Sequence, residues 1–278
     1  MTRFAFTQVD VFTDRALLGN PLAVVHGADG LDDERMQAFA RWTNLSETAF
    51  LLAPSEPGAD YRVRIFTPGG ELPFAGHPTL GSCHAWLAHG GRPRTAGRVV
   101  QECGVGLVTV RLGAGQPAFA APLLSIEEVE PAVLSAVLGA LSLRHDQVRA
   151  ARWLDNGPRW LGVLLGSAAE VLAVEPDHAA LRHLAKVGLI GAHAPGSACE
   201  FEVRAFAAPV GVDEDPVTGS LNAGFAGWLI DAGLARASYR VAQGTRLGRA
   251  GRVSLTREAG TVWVGGASVT CIRGEVEL

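Results

Sequence analysis

The sequence predicts an α+β protein of two similar halves, with two helix starts facing one another across an interdomain active-site cleft. Three observations predict it. One local pattern occurs twice, as His77-Pro78-Thr79-Leu80-Gly81-Ser82 and as Asp215-Pro216-Val217-Thr218-Gly219-Ser220, an offset of 138 from residue 77 to 215. A Val-Arg-x-Phe run precedes each copy, Val63-Arg64-Ile65-Phe66 and Val203-Arg204-Ala205-Phe206, at an offset of 140. Both offsets are about half the chain length, as a duplicated unit requires. The strand and helix patterns also follow a common order in the two halves.

In the first half, strands are predicted at Phe4–Phe12 and Leu22–Val25. A helix follows at about Asp32–Trp42, where Met36, Phe39 and Ala40 recur at helical spacing. Strands come next at Ala49–Leu52 and Tyr61–Phe66, then a helix from Pro78 to about Ala88, stopped by Gly90-Gly91. Strands at about Arg98–Cys103 and Leu107–Leu112 are joined by a glycine-rich turn. The second half predicts strands near Trp160–Leu165 and Glu170–Val174 and a helix at about Asp177–Lys186. A strand at Glu200–Phe206 precedes a helix from Pro216 to about Asp231, closed by Gly233. Strands at Tyr239–Ala242, Gly251–Thr256 and Thr261–Ser268 complete the set. Leu123–Leu143 is a further helical candidate, starting near Glu127. The segment Gly113–Pro122, with Gly113, Gly115, Pro117 and Pro122, is the expected crossing, giving domains 1–115 and 116–268.

Composition narrows the function classes. Of 278 residues, 48% are hydrophobic and 19% charged, which fits a folded chain with a substantial core. Lys186 is the one lysine, so nearly all positive charge is arginine. Net charge is −4 without a basic stripe, and no nucleic-acid partner is expected. The longest apolar run, about Pro131–Leu143, is too short to span a bilayer, and no membrane partner is expected. Met1-Thr2-Arg3-Phe4 enters a strand pattern at once, without a signal-peptide core. Cys83, Cys103, Cys199 and Cys271 lack Cys-x-x-Cys spacing and read as reduced core residues of a cytoplasmic protein.

Each repeat places Pro at the first helical position, with His77 or Asp215 as the N-cap. First-turn N–H groups and the helix dipole favour an anion there, and Gly76, Gly81, Gly219 and Ser220 let one approach. A carboxylate-bearing small molecule fits such a site. Asp-Pro at a helix start is also common for purely structural reasons. Histidine is not a favoured cap, so structure alone explains His77 less well. The third candidate is Glu47 in Asn44-Leu45-Ser46-Glu47-Thr48-Ala49-Phe50. Asn44 and Glu47 have the spacing of a capping box, although the residues from Thr48 onward read as strand. A glutamate packed on apolar neighbours holds its proton more tightly, and can take one from carbon and return it.

At these residues the chain resembles the phenazine-biosynthesis PhzF-like family, of the diaminopimelate-epimerase-like fold. The resemblance rests on Gly19-Asn20-Pro21, Asn44-Leu45-Ser46-Glu47-Thr48, and Phe66-Thr67-Pro68 leading to Glu71-Leu72-Pro73-Phe74-Ala75-Gly76-His77-Pro78-Thr79-Leu80-Gly81. It continues through Gly211-Val212-Asp213-Glu214-Asp215-Pro216-Val217-Thr218-Gly219-Ser220 and Gln243-Gly244. These segments span nearly the whole chain. The resemblance implies two domains, each a β-barrel-like sheet around a central helix, a C-terminal strand of about 269–278 returning to the first domain, and a homodimer. It implies Glu47 as the catalytic acid and base, supported by His77 and Asp215. It places Asn20, Ser46, Gly76, Gly219 and Ser220 where the family binds substrate. Epimerases and proline racemases of this fold use two cysteines in Cys-Gly motifs, and none of the four cysteines sits in one.

The expected function is therefore a cofactor-free isomerase. It moves a proton and a double bond on a small cyclic or amino-acid-like carboxylate of the trans-2,3-dihydro-3-hydroxyanthranilate type. A one-base epimerase or dehydratase of amino or hydroxy acids on this scaffold is the first alternative, and a non-catalytic binding protein the second. No dinucleotide fingerprint, P-loop, nucleophile elbow or zinc-protease motif occurs, and no metal or cofactor is expected.

Overall fold

A computed structural model of the chain describes residues 2–113 and 116–278. Residues 114 and 115, within the expected crossing segment, lie outside the described residues. Contacts divide the chain into two compact units, residues 1–120 with 265–278, and residues 121–264.

The first unit contains β1 (Arg3–Val11), β2 (Asn20–Val25), α1 (Asp33–Thr43), β3 (Thr48–Leu52), β4 (Tyr61–Thr67), β5 (Gly70–Leu72), α2 (Gly76–Ala88), β6 (Arg98–Cys103), β7 (Gly106–Arg111) and β8 (Ala118–Ala120). The second contains β9 (Ser125–Glu127), α3 (Pro131–Ala140), β10 (Val148–Asp155), β11 (Arg159–Leu165), α4 (Ala168–Ala173), α5 (His178–Leu181), β12 (Val187–Ala192), β13 (Phe201–Ala207), β14 (Val212–Asp215), α6 (Gly219–Asp231), β15 (Ser238–Gln243), β16 (Gly251–Glu258) and β17 (Thr261–Gly265). The last strand, β18 (Ser268–Glu277), pairs antiparallel with β1.

The two units share one pairing scheme. In the first, β1–β2 is antiparallel, β2–β3 parallel, β3–β4 and β4–β5 antiparallel, β4–β6 parallel and β6–β7 antiparallel. In the second, β10–β11, β11–β12, β12–β13, β13–β14, β13–β15 and β15–β16 repeat those six relations in the same order. Each mixed sheet lies against one apolar helix. α2 touches β1, β2, β3, β6, β7, β8 and β18, and α6 touches β10, β11 and β16. A helix surrounded in this way is apolar on all faces rather than on one stripe. Met36, Phe39 and Ala40 of α1 pack on the outer side with Phe4, Val25, Phe50 and Phe66. In the second unit, Val137, Val171 and Leu181, from three short helices, pack on Leu161, Val187 and Phe206.

Several expectations need correction. Neither proline opens its helix. α2 begins at Gly76 with Ala75 as N-cap, so His77 and Pro78 lie inside the first turn. A proline is tolerated there because first-turn N–H groups have no intrahelical acceptor. α6 begins at Gly219 with Thr218 as N-cap, and Asp215 ends strand β14 instead. The two helix starts are thus 143 residues apart, from 76 to 219, and the X-Pro repeat is five residues out of structural register. The predicted strand Glu170–Val174 is helix α4, capped by Ser167, whose hydroxyl accepts from the Glu170 N–H at 3.2 Å. The helix expected over Asp177–Lys186 is the single turn α5, and β12 follows it. The helix expected from Glu127 starts at Pro131, because Glu130 before it is held extended (φ −61°, ψ 133°), and Glu127 itself lies in β9. The strand expected over Thr261–Ser268 is broken between β17 and β18, where Gly266 lies against Phe12.

Glycine on the central helices sets how closely the sheet approaches. A β-carbon at Gly81 would stand 2.6 Å from Leu22 Cδ2 and 2.8 Å from Val11 Cγ2. The residue at the same helical position in α6 is Gly224, where a β-carbon would meet Leu154 Cβ at 3.1 Å. Gly81→Val is expected to lower stability by roughly 1–3 kcal/mol through overpacking. The midpoint of urea unfolding checks this, and a parental midpoint contradicts the packing.

Candidate active site

Glu47 is held by the junction of α1 and β3. Asn44 ends α1 in the left-handed conformation (φ 53°), and its N–H reaches Ala40 O at 3.2 Å. No helix starts at Asn44, so the capping-box alternative does not describe this segment. Thr43 and Thr48 close the loop with a hydroxyl–hydroxyl hydrogen bond of 3.0 Å. Ser46 Oγ donates to Asn20 Oδ1 at 3.3 Å, tying the loop to the start of β2. Gly19 before it must be glycine, since a β-carbon would lie 2.4 Å from Val11 O.

The Glu47 side chain keeps 17% exposure, and Oε2 lies 3.2 Å from Nδ1 of His77, whose side chain keeps 5%. The contact is not aligned as a hydrogen bond. Burial therefore dominates, and it pushes the Glu47 carboxyl up from 4.5 to about 7, with Ser46's hydrogen bond opposing it. Ala75, the N-cap of α2, has no side-chain acceptor, so the turn that begins Gly76-His77 has no side-chain cap. That leaves the positive end of the helix beside a carboxyl that is half protonated near neutrality.

Thus Glu47, His77, Gly76, Asn20 and Ser46 belong to one neighbourhood of the first unit. Asp215, Gly219 and Ser220 belong to the second unit. There Asp215 Oδ2 accepts from Thr218 Oγ1 at 2.6 Å. Thr218 spends its hydroxyl proton on Asp215, and its side chain does not cap α6. The buried amide of Gln243 spans the turn. Its Nε2 donates to Asp215 O at 3.1 Å and to Thr218 Oγ1 at 3.0 Å. Its Oε1 accepts from the Thr218 N–H at 3.1 Å and from Asn222 Nδ2 at 2.8 Å. Ser220 Oγ accepts from Trp160 Nε1 at 3.2 Å and keeps its own proton to donate. Sequence reasoning found Gln243 only as half of a weak Gln-Gly match and missed Asn222, which carries no motif.

Cys83, Cys103 and Cys199 follow core packing, whereas Cys271, expected in the core as well, is only half-buried on β18. Cys83 is buried in α2, and desolvation pushes its thiol up to about 12, away from the thiolate a racemase base needs. All four cysteines are unbridged. Among the described residues, no group of three or more His, Cys, Asp or Glu side chains could hold a metal ion, and no helix is long and apolar enough to cross a membrane.

Comparison with known proteins identifies the frame around this geometry. The model of the PhzC-PhzF family, described as phenazine biosynthesis-like protein, matches residues 9–274. The chain belongs to that family. It is an isomerase of the phenazine biosynthesis-like family, the class by which several of its curated relatives are named. Antisense-enhancing sequence 1 of Schizosaccharomyces pombe is 37% identical over 99% of both chains. Trans-2,3-dihydro-3-hydroxyanthranilate isomerase of Pseudomonas aeruginosa is 38% identical over 77% of this chain and 76% of its own. The PhzF-family phenazine biosynthesis protein of Bacillus anthracis shares the fold at a TM-score of 0.88, covering 100% of both chains at 22% identity.

The raised carboxyl has a measurable consequence. Folded Glu47 keeps its proton between pH 4.5 and about 7, where the unfolded chain has released it. Stability therefore falls as pH rises through that window, by about 1.4 kcal/mol per unit at most, and levels off above it. Glu47→Gln is expected to remove this slope and to gain on the parent above pH 7. Urea unfolding of both proteins from pH 4 to 9 checks it, and parallel profiles contradict it.

Proposed function

We propose that this chain catalyses proton-transfer isomerisation of a small cyclic or amino-acid-like carboxylate of the trans-2,3-dihydro-3-hydroxyanthranilate type. The observation that carries the reading is Glu47, largely withdrawn from water, adjacent to His77 and with its carboxyl raised to about 7. A general base works best when its pKa lies near the working pH.

As a carboxylate, Glu47 takes a proton from one carbon of the substrate. The electron pair left behind delocalises over the adjacent double bond and its conjugated groups. Protonated Glu47 then returns the proton at a second carbon, and the double bond shifts without net oxidation or reduction. His77 and Asp215 orient the substrate and stabilise the delocalised anion by hydrogen bonding. Asn20 and Ser46 fix the Glu47 loop and contact the substrate, and Gly76, Gly219 and Ser220 bind its carboxylate. No step requires a cofactor. The naming of the Pseudomonas aeruginosa relative supports this substrate class. Work as a homodimer belongs to the same proposal and rests on the resemblance, and a cytoplasmic location rests on the four cysteines without disulfide or metal spacing.

Incubation with trans-2,3-dihydro-3-hydroxyanthranilate in deuterated water, followed by NMR, tests the reading. The parent is expected to yield the isomer, with deuterium at the newly protonated carbon to the extent that protonated Glu47 exchanges with solvent before it returns the proton. Glu47→Gln is expected to be slower by about 100-fold or more, the scale of a positioned general base. Equal rates in parent and variant remove Glu47 from the mechanism. Inversion at the substituted carbon without double-bond migration favours the epimerase alternative.

A further inference from the structure

The Val-Arg-x-Phe repeat has a physical use that the reaction above does not absorb. On β13, Arg204 grips Glu214 with a two-pronged fork, Nε to Oε1 at 3.0 Å and Nη2 to Oε2 at 2.8 Å. Its Nη1 donates to the carbonyls of Val174 at 2.5 Å and Val171 at 3.3 Å, at the end of α4. The guanidinium carbon lies 4.9 Å from the centre of the Phe206 ring. Both charged side chains are out of water, with exposures of 4% and 7%. Arg64 on β4 repeats the arrangement. It forks onto Glu71 at 2.7 and 2.6 Å, donates Nη1 to Asp33 at 2.6 Å, and lies 5.1 Å over Phe66. In both units the glutamate stands on the short strand that leads into the central helix.

The buried copy is the informative one. A buried ion pair contributes little net stability, because desolvation offsets its attraction, and apolar side chains of similar size often serve packing as well. What they lack is the fixed planar geometry of a bidentate guanidinium–carboxylate pair. Glu214 immediately precedes Asp215, whose backbone Gln243 holds from the other side. Asp215 itself pairs with Ala205, next to Arg204.

We propose that Arg204 and Glu214 are positioning residues for the isomerisation, their buried fork fixing β14 and so aiming Asp215 and the first turn of α6 at the substrate. The inference rests on the role given to Asp215 under the proposed function.

The test uses the full chain with trans-2,3-dihydro-3-hydroxyanthranilate. Arg204→Lys keeps the charge and loses the fork. The double variant Arg204→Met with Glu214→Leu removes both charges and keeps apolar bulk. Glu47→Gln and Asp215→Asn are measured alongside. The double variant is expected to melt near the parent while kcat falls about tenfold to a hundredfold, the scale of a misplaced catalytic group, with KM changing far less. A parental kcat in the folded double variant, with Glu47→Gln and Asp215→Asn inactive, overturns the inference and leaves the functional reading standing. If the double variant does not fold, Arg204→Lys decides: a kcat loss at parental Tm supports the clamp, and a parental kcat overturns it. If the parent is inactive, or Glu47→Gln or Asp215→Asn turns over like the parent, the functional reading fails and the clamp falls with it.

Discussion

A carboxyl group can both accept and return a proton near neutrality only if water is kept from stabilising its charge, and the junction of α1 and β3 imposes that condition on Glu47. The left-handed Asn44 stops the helix, the Thr43–Thr48 hydrogen bond closes the loop, and the next residues enter a buried strand. Glu47 is left at the rim of the sheet with 17% of its side chain exposed. His77 stands beside it because α2 begins one residue earlier, at Gly76. The desolvation that raises the carboxyl to about 7 disfavours the charged folded state, so the feature proposed for catalysis lowers stability above neutral pH.

The rest of the chain is a duplicated frame on which the halves have diverged. The six strand relations recur in order, and glycine occupies the same step of both central helices, at Gly81 and Gly224. Chemistry at the helix starts differs. The second residue of α2 is His77, and that of α6 is Ser220. The first unit presents a titratable pair, whereas the second presents an aspartate, a hydroxyl and an amide network about Gln243.

Much of this was legible in the sequence because it follows from local spacing. The Val-Arg-x-Phe repeat marks β4 and β13 correctly: β13 is buried throughout, β4 alternates buried and half-buried residues, and both sit at one place in the pairing scheme. The X-Pro repeat misled. Proline is as comfortable inside the first turn of α2 as in the turn before α6, so its position alone cannot locate a helix start. Residues 170–174 read as strand because Val171 and Val174 are apolar and β-branched; tertiary packing decides for helix α4, with Gly191 letting it come close. Strand β10 was not read from the residues, and β18 was expected only from the family resemblance, because its partner β1 lies at the other end of the chain. Glu47 and His77 could each be singled out by residue type. Their 3.2 Å approach depends on β3 and α2 meeting, which no short motif encodes.

The most direct measurement is the titration of Glu47 itself, followed by the side-chain carboxyl carbon in 13C NMR of the full chain, with Glu47→Gln used to assign the signal. The account expects a midpoint near 7. A midpoint near 4.5, the value of an ordinary solvated glutamate, would show that the group is not held from water and would contradict the account at its root.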